Sequence, residues 1–255
     1  GFRWEKVLGW SLERFGKDFM KIKEILTGVL FPPHCPLCDE LIPAGETACA
    51  ACRKKVQYIK EPSCKKCGKP LENPRQEYCT DCGRKKHQFD QGKAVFVYQG
   101  QIRQSMYRFK YNNKREYAGF YASEAMKLYE RWIKDRGIDV IVPVPMYRPK
   151  QKGRGYNQAE TFAAPLAREC GLPVDAGLVR RKRNTTPQKE LNDLERKKNL
   201  ENAFGITKET LDYKNVLVVD DIYTTGSTVD AVAKVLKEAG AEKVCFLCIS
   251  IGEGF

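Results

Sequence analysis

The chain has 255 residues, with 45 Lys and Arg against 32 Asp and Glu and a formal charge of +13. That length buries a sizeable core and suits one domain plus a smaller module, while no apolar run is long enough to cross a bilayer. The cationic surplus favours polyanions as partners, whether phosphorylated substrates, nucleic acid or an acidic protein, without choosing among them.

From Trp4 to Leu30 the pattern is amphipathic, with Val7, Trp10, Phe15, Phe19, Ile22, Leu26 and Leu30 near helical spacing. One or two helices are expected over 1–30, with an apolar face that packs on the following module or docks a partner or membrane surface. The segment is studded with charge and does not read as a signal peptide, so the expected location is the cytoplasm.

Eight of the eleven cysteines form four CxxC pairs. Cys35 and Cys38 are followed after ten residues by Cys49 and Cys52, and Cys64 and Cys67 after eleven by Cys79 and Cys82. Tandem pairs of this kind are metal arithmetic rather than a redox motif. A CxxC turn sets two thiolates on one side of a metal, and a second pair completes the tetrahedron that zinc accepts. Two structural zinc ions per chain are expected, held by a module spanning 31–88. Sequential and interleaved pairings use the same residues. Gly68 and Gly83 follow their pairs, where positive φ is expected. His34 and His87, the only histidines, read as bystanders. Cys170, Cys245 and Cys248 read as small buried hydrophobes, the last two on opposite faces of one strand.

Composition changes at Phe89, and 89–255 reads as an α/β domain. Ala94 to Tyr98 is an expected strand, with Ile102, Met106 and Phe109 at helical spacing after it. Between Gln101 and Arg115 lie five cations, Arg103, Arg108, Lys110, Lys114 and Arg115, and no acidic residue, with Tyr107, Phe109 and Tyr111 interleaved. Two readings stay open: a single-stranded nucleic-acid surface built on phosphate pairing and stacking, or core aromatics beside a solvated basic face. A helix is expected from about Arg115 to Asp135, closed by Gly137, then a strand from Asp139 to Val142 ended by Pro143 and Pro145. Arg148, Lys150, Lys152 and Arg154 alternate with Gly153 and Gly155 in what reads as a mobile, anion-facing loop before a helix capped near Asn157. Pro165 should kink or split that helix. From Arg180 to Lys198 there are eight basic and three acidic residues.

The stretch Val216 to Thr228, VLVVDDIYTTGST, carries the strongest chemistry. Val216 to Val219 read as a buried parallel strand, with Asp220 and Asp221 at its carboxyl end, where open α/β sheets bind ligands. Thr224, Thr225, Gly226, Ser227 and Thr228 offer hydroxyls and the free amides of a helix start to an anion. The helix is marked by Val229, Val232, Ala233 and Leu236, with Gly240 as its stop. Carboxylates repel phosphate but accept hydrogen bonds from a sugar diol. A phosphorylated ribose satisfies both halves. Lys243 to Ile251 is a closing strand.

This pattern resembles the signature of type I phosphoribosyltransferases, which bind phosphoribosyl pyrophosphate (PRPP). Together with the cysteine pairs, VPVP, RGYNQ and TPQ, the chain from about Phe31 resembles the ComF family associated with bacterial DNA uptake. The resemblance implies a type I phosphoribosyltransferase-like parallel sheet flanked by helices, preceded by a small double zinc-binding module. It implies PRPP with magnesium at Asp220, Asp221 and Thr224 to Thr228. It also implies a pyrophosphate loop at Val144, Pro145, Met146 and Tyr147, joined by Arg148, Lys152 and Arg154, and a flexible loop closing from 180–198. Single-stranded DNA and a helicase-like ATPase are the implied partners. The sequence identifies no general base and no residue that specifies a nucleobase, so transfer to an acceptor and a non-catalytic binding module with PRPP as regulator both remain open.

Overall fold

The computed structural model describes residues 32–182, 203–208 and 211–252. The amphipathic segment expected over 1–30 and most of the basic segment of 180–198 lie outside the described residues. The chain divides into two compact units, one ending at Arg53 and the other beginning at Lys54. The expected 31–88 module spans this division.

In the smaller unit the first two cysteine pairs surround a small core of Leu37, Ile42 and Ala48. Cys35 and Cys38 lie in a turn closed by the His34 and Leu41 bridge, and Asp39 directly after them takes φ 69°. Cys49 precedes and Cys52 lies within a single helical turn, α1 (Ala50–Arg53). The larger unit opens with the same arrangement: a turn closed by Ser63 and Pro70, then α2 (Thr80–Arg84). Gly68 occupies the place of Asp39 with φ 77°, and a Cβ there would meet Gly92 O at 3.0 Å. Gly83 does not take the expected positive φ; it lies inside α2, where its amide donates to Cys79 O.

The remainder of the larger unit is built on β1 (Gln91–Val97), α3 (Gly100–Tyr111), α4 (Tyr117–Asp135), β2 (Val140–Pro143), α5 (Arg148–Arg154) and α6 (Gln158–Cys170). These are followed by β3 (Val179–Arg181), β4 (Phe204–Ile206), β5 (Asn215–Tyr223), α7 (Ser227–Glu238) and β6 (Lys243–Ile251). Strands β1, β6, β5 and β2 form a four-stranded sheet in that order, parallel throughout. The continuous apolar runs follow from this arrangement, because a parallel strand covered by helices has no wet face to alternate with. β3 and β4 pair separately and antiparallel.

Val229, Val232, Ala233 and Leu236 of α7 are buried, each worth roughly 1 to 3 kcal/mol of transfer from water. Helix α4 buries Tyr117, Phe120, Tyr121, Ala125 and Ile133, and Gly137 with φ 59° follows it. Helix α6 runs through Pro165 as one element, so the expected split does not occur. Pro165 is buried between Phe162 and Leu166, and packing of α6 against α4 and the sheet offsets the missing amide. The cation-rich segment after Tyr147 is also not a loop: it is α5, with Pro149 in its first turn and Gly155 at φ 86° as its stop. Cys245 and Cys248 are buried in β6, three positions apart and hence on opposite faces.

The core of the sheet runs without a break into the second cysteine quartet. Cys64 and Cys67 belong to the same buried cluster as Phe89, Val218, Tyr223 and Phe246. Phe246 stacks on Tyr223 at 4.6 Å and meets Phe89 edge-on at 4.8 Å. Gly92 lies over this ring, and a Cβ there would fall 1.9 Å from Phe246 Cε1. Gly92→Ala is therefore expected to destabilise the larger unit by about 1 to 3 kcal/mol through overpacking, read as a lower urea midpoint of the zinc-loaded protein; an unchanged midpoint would show that Phe246 has room to move.

Candidate functional site

Each quartet is gathered in sequence order: Cys35, Cys38, Cys49 and Cys52 in one, Cys64, Cys67, Cys79 and Cys82 in the other, with all sulfurs of a group within 4.8 Å of one another. A tetrahedral zinc with Zn–S of about 2.3 Å requires sulfurs about 3.8 Å apart. Cys38 and Cys49 Sγ are 3.8 Å apart, and Cys67 and Cys79 Sγ 3.6 Å. These are two four-cysteine zinc-binding sites, paired sequentially. Burial opposes ionisation of Cys35, yet backbone amides of Cys49, Cys38 and Leu37 outweigh it and bring the thiol down to about 7, toward the thiolate that binds metal. Neither histidine joins a quartet among the described residues.

The second site lies at the carboxyl end of the sheet. β5 pairs with β2 only as far as Val219, opposite Pro143, and the last bond on that side is Val144 N to Val219 O at 2.9 Å. Beyond it Val144 O accepts from Asn157 Nδ2 and the Asp221 amide donates to Asp220 Oδ1, so the ladder to β2 goes no further. On the other side β5 stays paired to β6 as far as Tyr223. Asp220 and Asp221 thus lie on a strand held rigidly along one edge and open along the other. Val144 to Tyr147 stand next to this opening, with Val144 buried, the other three half-buried and Val144 O held by Asn157 Nδ2 at 3.0 Å. Asn157 also caps α6, accepting from the Ala159 amide as expected.

The turn after β5 delivers the helix start. Gly226 is the N-cap of α7 with φ 80°, and no side chain caps the helix. Only glycine fits: a Cβ would fall 2.6 Å from the Tyr223 hydroxyl, in a backbone region costly for other residues. Thr225 Oγ1 and Ser227 Oγ are 2.9 Å apart; Thr224 is exposed, and Ser227 and Thr228 are half-buried. The free amides of the first turn carry the positive end of the helix dipole.

Around the carboxylates the electrostatics are set by cations from three elements. Lys110 Nζ is 2.7 Å from Asp221 Oδ2, with both side chains less than a fifth exposed. Burial works against the Lys110 charge, but Asp221 outweighs it and raises its pKa. Asp220 accepts the Asp221 amide at 2.8 Å. Burial, and then the neighbouring Asp221 charge, push Asp220 up to about 7, against the pull of that amide, Lys110 and Arg181. Lys150 is pulled down by burial and by Arg154, Arg181 and Lys110, so these four cations share one field, and of them Lys110 and Arg181 act on Asp220.

The expected basic loop is thereby rearranged. Arg154 donates to Gln158 Oε1 and lies over the Tyr111 ring at 5.0 Å, whereas Arg148, Lys150 and Lys152 are exposed on α5. Lys150 and Arg181 stood in the sequence only as members of the two cation-rich segments, and a run of cations does not reveal which of them will act on the acidic pair; Arg181 acts on Asp220. The stretch from Gln101 to Arg115 divides as well. Lys110 faces Asp221, Arg108 is half-buried, Lys114 lies over Tyr117, and Arg115 donates to Gly155 O and covers the Tyr156 ring. Arg103 is exposed, Phe109 is core, and Tyr107 and Tyr111 are 60% and 59% exposed with centroids 4.9 Å apart.

The parallel sheet flanked by helices, with an acidic strand end one turn before a glycine-initiated helix start, is a phosphoribosyltransferase-like fold preceded by two four-cysteine sites. Residues 156–251 match the phosphoribosyl transferase domain family and residues 26–83 the double zinc ribbon domain family. Among known proteins the chain is similar to Competence protein F of Haemophilus influenzae, 38% identical over 108 residues that cover 42% of this chain and 47% of that protein. It is also similar to Competence protein ComFC of Bacillus subtilis, 28% identical over 150 residues that cover 59% of each. The chain thus spans about half the length of these relatives. A purine phosphoribosyltransferase from Pyrococcus horikoshii aligns in structure with a TM-score of 0.34 at 16% identity, covering 52% of this chain and 74% of that one. The ComF resemblance read from the motifs is matched by these relatives. No described helix is long and apolar enough to cross a membrane.

A carboxyl whose folded pKa is raised binds its proton more tightly in the folded state. Its contribution to stability is full below the unfolded value near 4 and is lost as pH rises through about 7. Asp220→Asn, which cannot ionise, is therefore expected to gain on the wild type in urea midpoint between pH 5 and pH 8. A difference that does not change with pH would contradict this placement of Asp220.

Proposed function

We propose that the strand-end site binds PRPP with magnesium and that the chain serves DNA uptake as a ComF-type phosphoribosyltransferase-like protein. The observation that carries the ligand is the pair Asp220 and Asp221 on the free edge of β5, one turn before the uncapped glycine start of α7. The acidic pair accepts hydrogen bonds from the ribose hydroxyls, and the helix start with Thr224 to Thr228 takes the 5′-phosphate. Lys110, Lys150, Arg154 and Arg181 meet the pyrophosphate charge. Oxygen-only donors such as Asp220 and Asp221 fit magnesium, which when bound neutralises phosphate oxygens. Where the bond from ribose to pyrophosphate is broken, negative charge grows on the leaving group, and cations already in place lower the barrier because they need not reorganise. The competence role follows from the names of the relatives and from the family resemblance, which also suggests a helicase-like ATPase as partner.

A second reading, a single-stranded DNA surface on α3, is favoured by Tyr107 and Tyr111. Two exposed aromatics at i and i+4 beside Arg103 and Arg154 suit base stacking with phosphate pairing. In this reading PRPP is a ligand that regulates the protein.

Calorimetric titration of the zinc-loaded protein with PRPP and magnesium tests the first reading. Asp220→Ala with Asp221→Ala is expected to abolish binding while the fold and two zinc ions per chain persist; retained affinity would sink the assignment. Wild-type affinity is expected to rise from pH 6 to pH 8 as Asp220 ionises. For the second reading, Tyr107→Ala is expected to weaken single-stranded DNA binding about tenfold and leave PRPP affinity unchanged, and equal DNA affinity in fluorescence anisotropy would remove it.

A further inference from the structure

The connector that leaves the second zinc quartet does not cross open space to β1. It runs along α7 and is tied to that helix at both ends. Near its start, His87 Nδ1 lies 2.6 Å from Asp230 Oδ2, and the Gln88 amide donates to Asp230 Oδ1 at 2.8 Å. Asp230 stands in the first turn of α7, three residues after Ser227. At the other end Asp90 pairs with Lys237 in the last turn of α7 at 3.0 Å and accepts the Val244 amide of β6 at 2.7 Å. Between the two ties, Phe89 is fully buried in the aromatic cluster with Phe246 and Tyr223, and the Tyr223 hydroxyl sets the close approach at Gly226.

His87 is costly where it stands. Its side chain is 1% exposed, it stacks on Phe89 at 4.7 Å, and its Nε2 has no hydrogen-bond partner among the described residues. A buried polar atom left unmet costs about 1 to 3 kcal/mol, so an apolar side chain would serve packing better. What the imidazole supplies is the bond to Asp230. That carboxylate also accepts the Gln88 amide, so the first turn of α7 is gripped from the zinc ribbon side and not by a cap of its own.

We propose that the segment 85–90 is a positioning strap through which the second zinc ribbon holds the start of α7 in its anion-binding geometry, with His87 and Asp230 as the positioning residues. The proposal deepens the PRPP reading and rests on it only for the identity of the ligand. Neither residue touches the ligand. They act through the amides of Ser227 and Thr228, whose direction decides whether a phosphate is met by one donor or several. A zinc ribbon packed into the sheet core is then part of the site's framework.

The test uses the full zinc-loaded chain and two readouts: hydrogen exchange of the peptide covering 224–230, and PRPP titration with magnesium. His87→Ala and Asp230→Asn are expected to accelerate exchange in that peptide and weaken PRPP binding about tenfold, with zinc content unchanged at two per chain. His87→Asn, which keeps a side-chain donor toward Asp230, is expected to recover much of both. Lys65→Ala, which removes only the exposed ion pair with Glu77 on the same ribbon, serves as the control and is expected to match the wild type. Exchange at 224–230 that stays at the wild-type rate in both variants would overturn the strap, as would acceleration spread evenly over the larger unit. If the wild type itself shows no PRPP binding, the ligand reading fails, and exchange at 224–230 still decides the strap.

Discussion

Strand β5 keeps its hydrogen bonds to β6 for several residues after β2 has ended, and the candidate site depends on that mismatch. A carboxylate pair at the end of a frayed strand would have no fixed direction. Here the backbone of Asp220 is paired opposite Cys248 and that of Tyr223 opposite Ile251, so the acidic side chains emerge from a rigid ladder. On the opposite edge the two groups that would continue the ladder are bonded elsewhere, Val144 O to Asn157 Nδ2 and the Asp221 amide to Asp220 Oδ1, which leaves that edge free of β2. The opening is thus made where two side chains, Asn157 and Asp220, take over the backbone groups of the ladder.

Several features that look independent follow from keeping this strand end rigid. Tyr223 must be buried to end the strand, so it stacks on Phe246, and Phe246 in turn demands Gly92 beneath it. The Tyr223 hydroxyl leaves no room for a Cβ at residue 226, so the helix begins on glycine and its first amides stay uncapped. Aromatic packing under the sheet thereby dictates an uncapped, glycine-initiated helix start above it. Cys64 and Cys67 belong to the same cluster, which makes the second quartet a component of the domain core. The electrostatics follow the same geometry. Asp220 is raised because it is buried beside Asp221, and Lys110 is kept charged because Asp221 is 2.7 Å away.

The chain itself determined much of this protein. Eight cysteines at CxxC spacing leave little freedom, since four soft ligands around one metal admit few geometries; the unbroken apolar runs of β5 and β6 require a strand covered on both faces; and the order of Asp220, Asp221 and Gly226 to Thr228 places acid and helix start in one turn of chain. These are local signals, carried by neighbours in sequence. Only the tertiary structure decided the rest. The pairing of the quartets, the turn of Lys110 inward to Asp221 while Tyr107 and Tyr111 stay outward, the arrival of Arg181 near Asp220, and the grip of His87 on Asp230 across 143 positions depend on which faces the sheet brings together. Residue type and spacing hold no record of a partner that far along the chain, and a cation on an amphipathic segment reads the same whether it will meet solvent or a buried carboxylate.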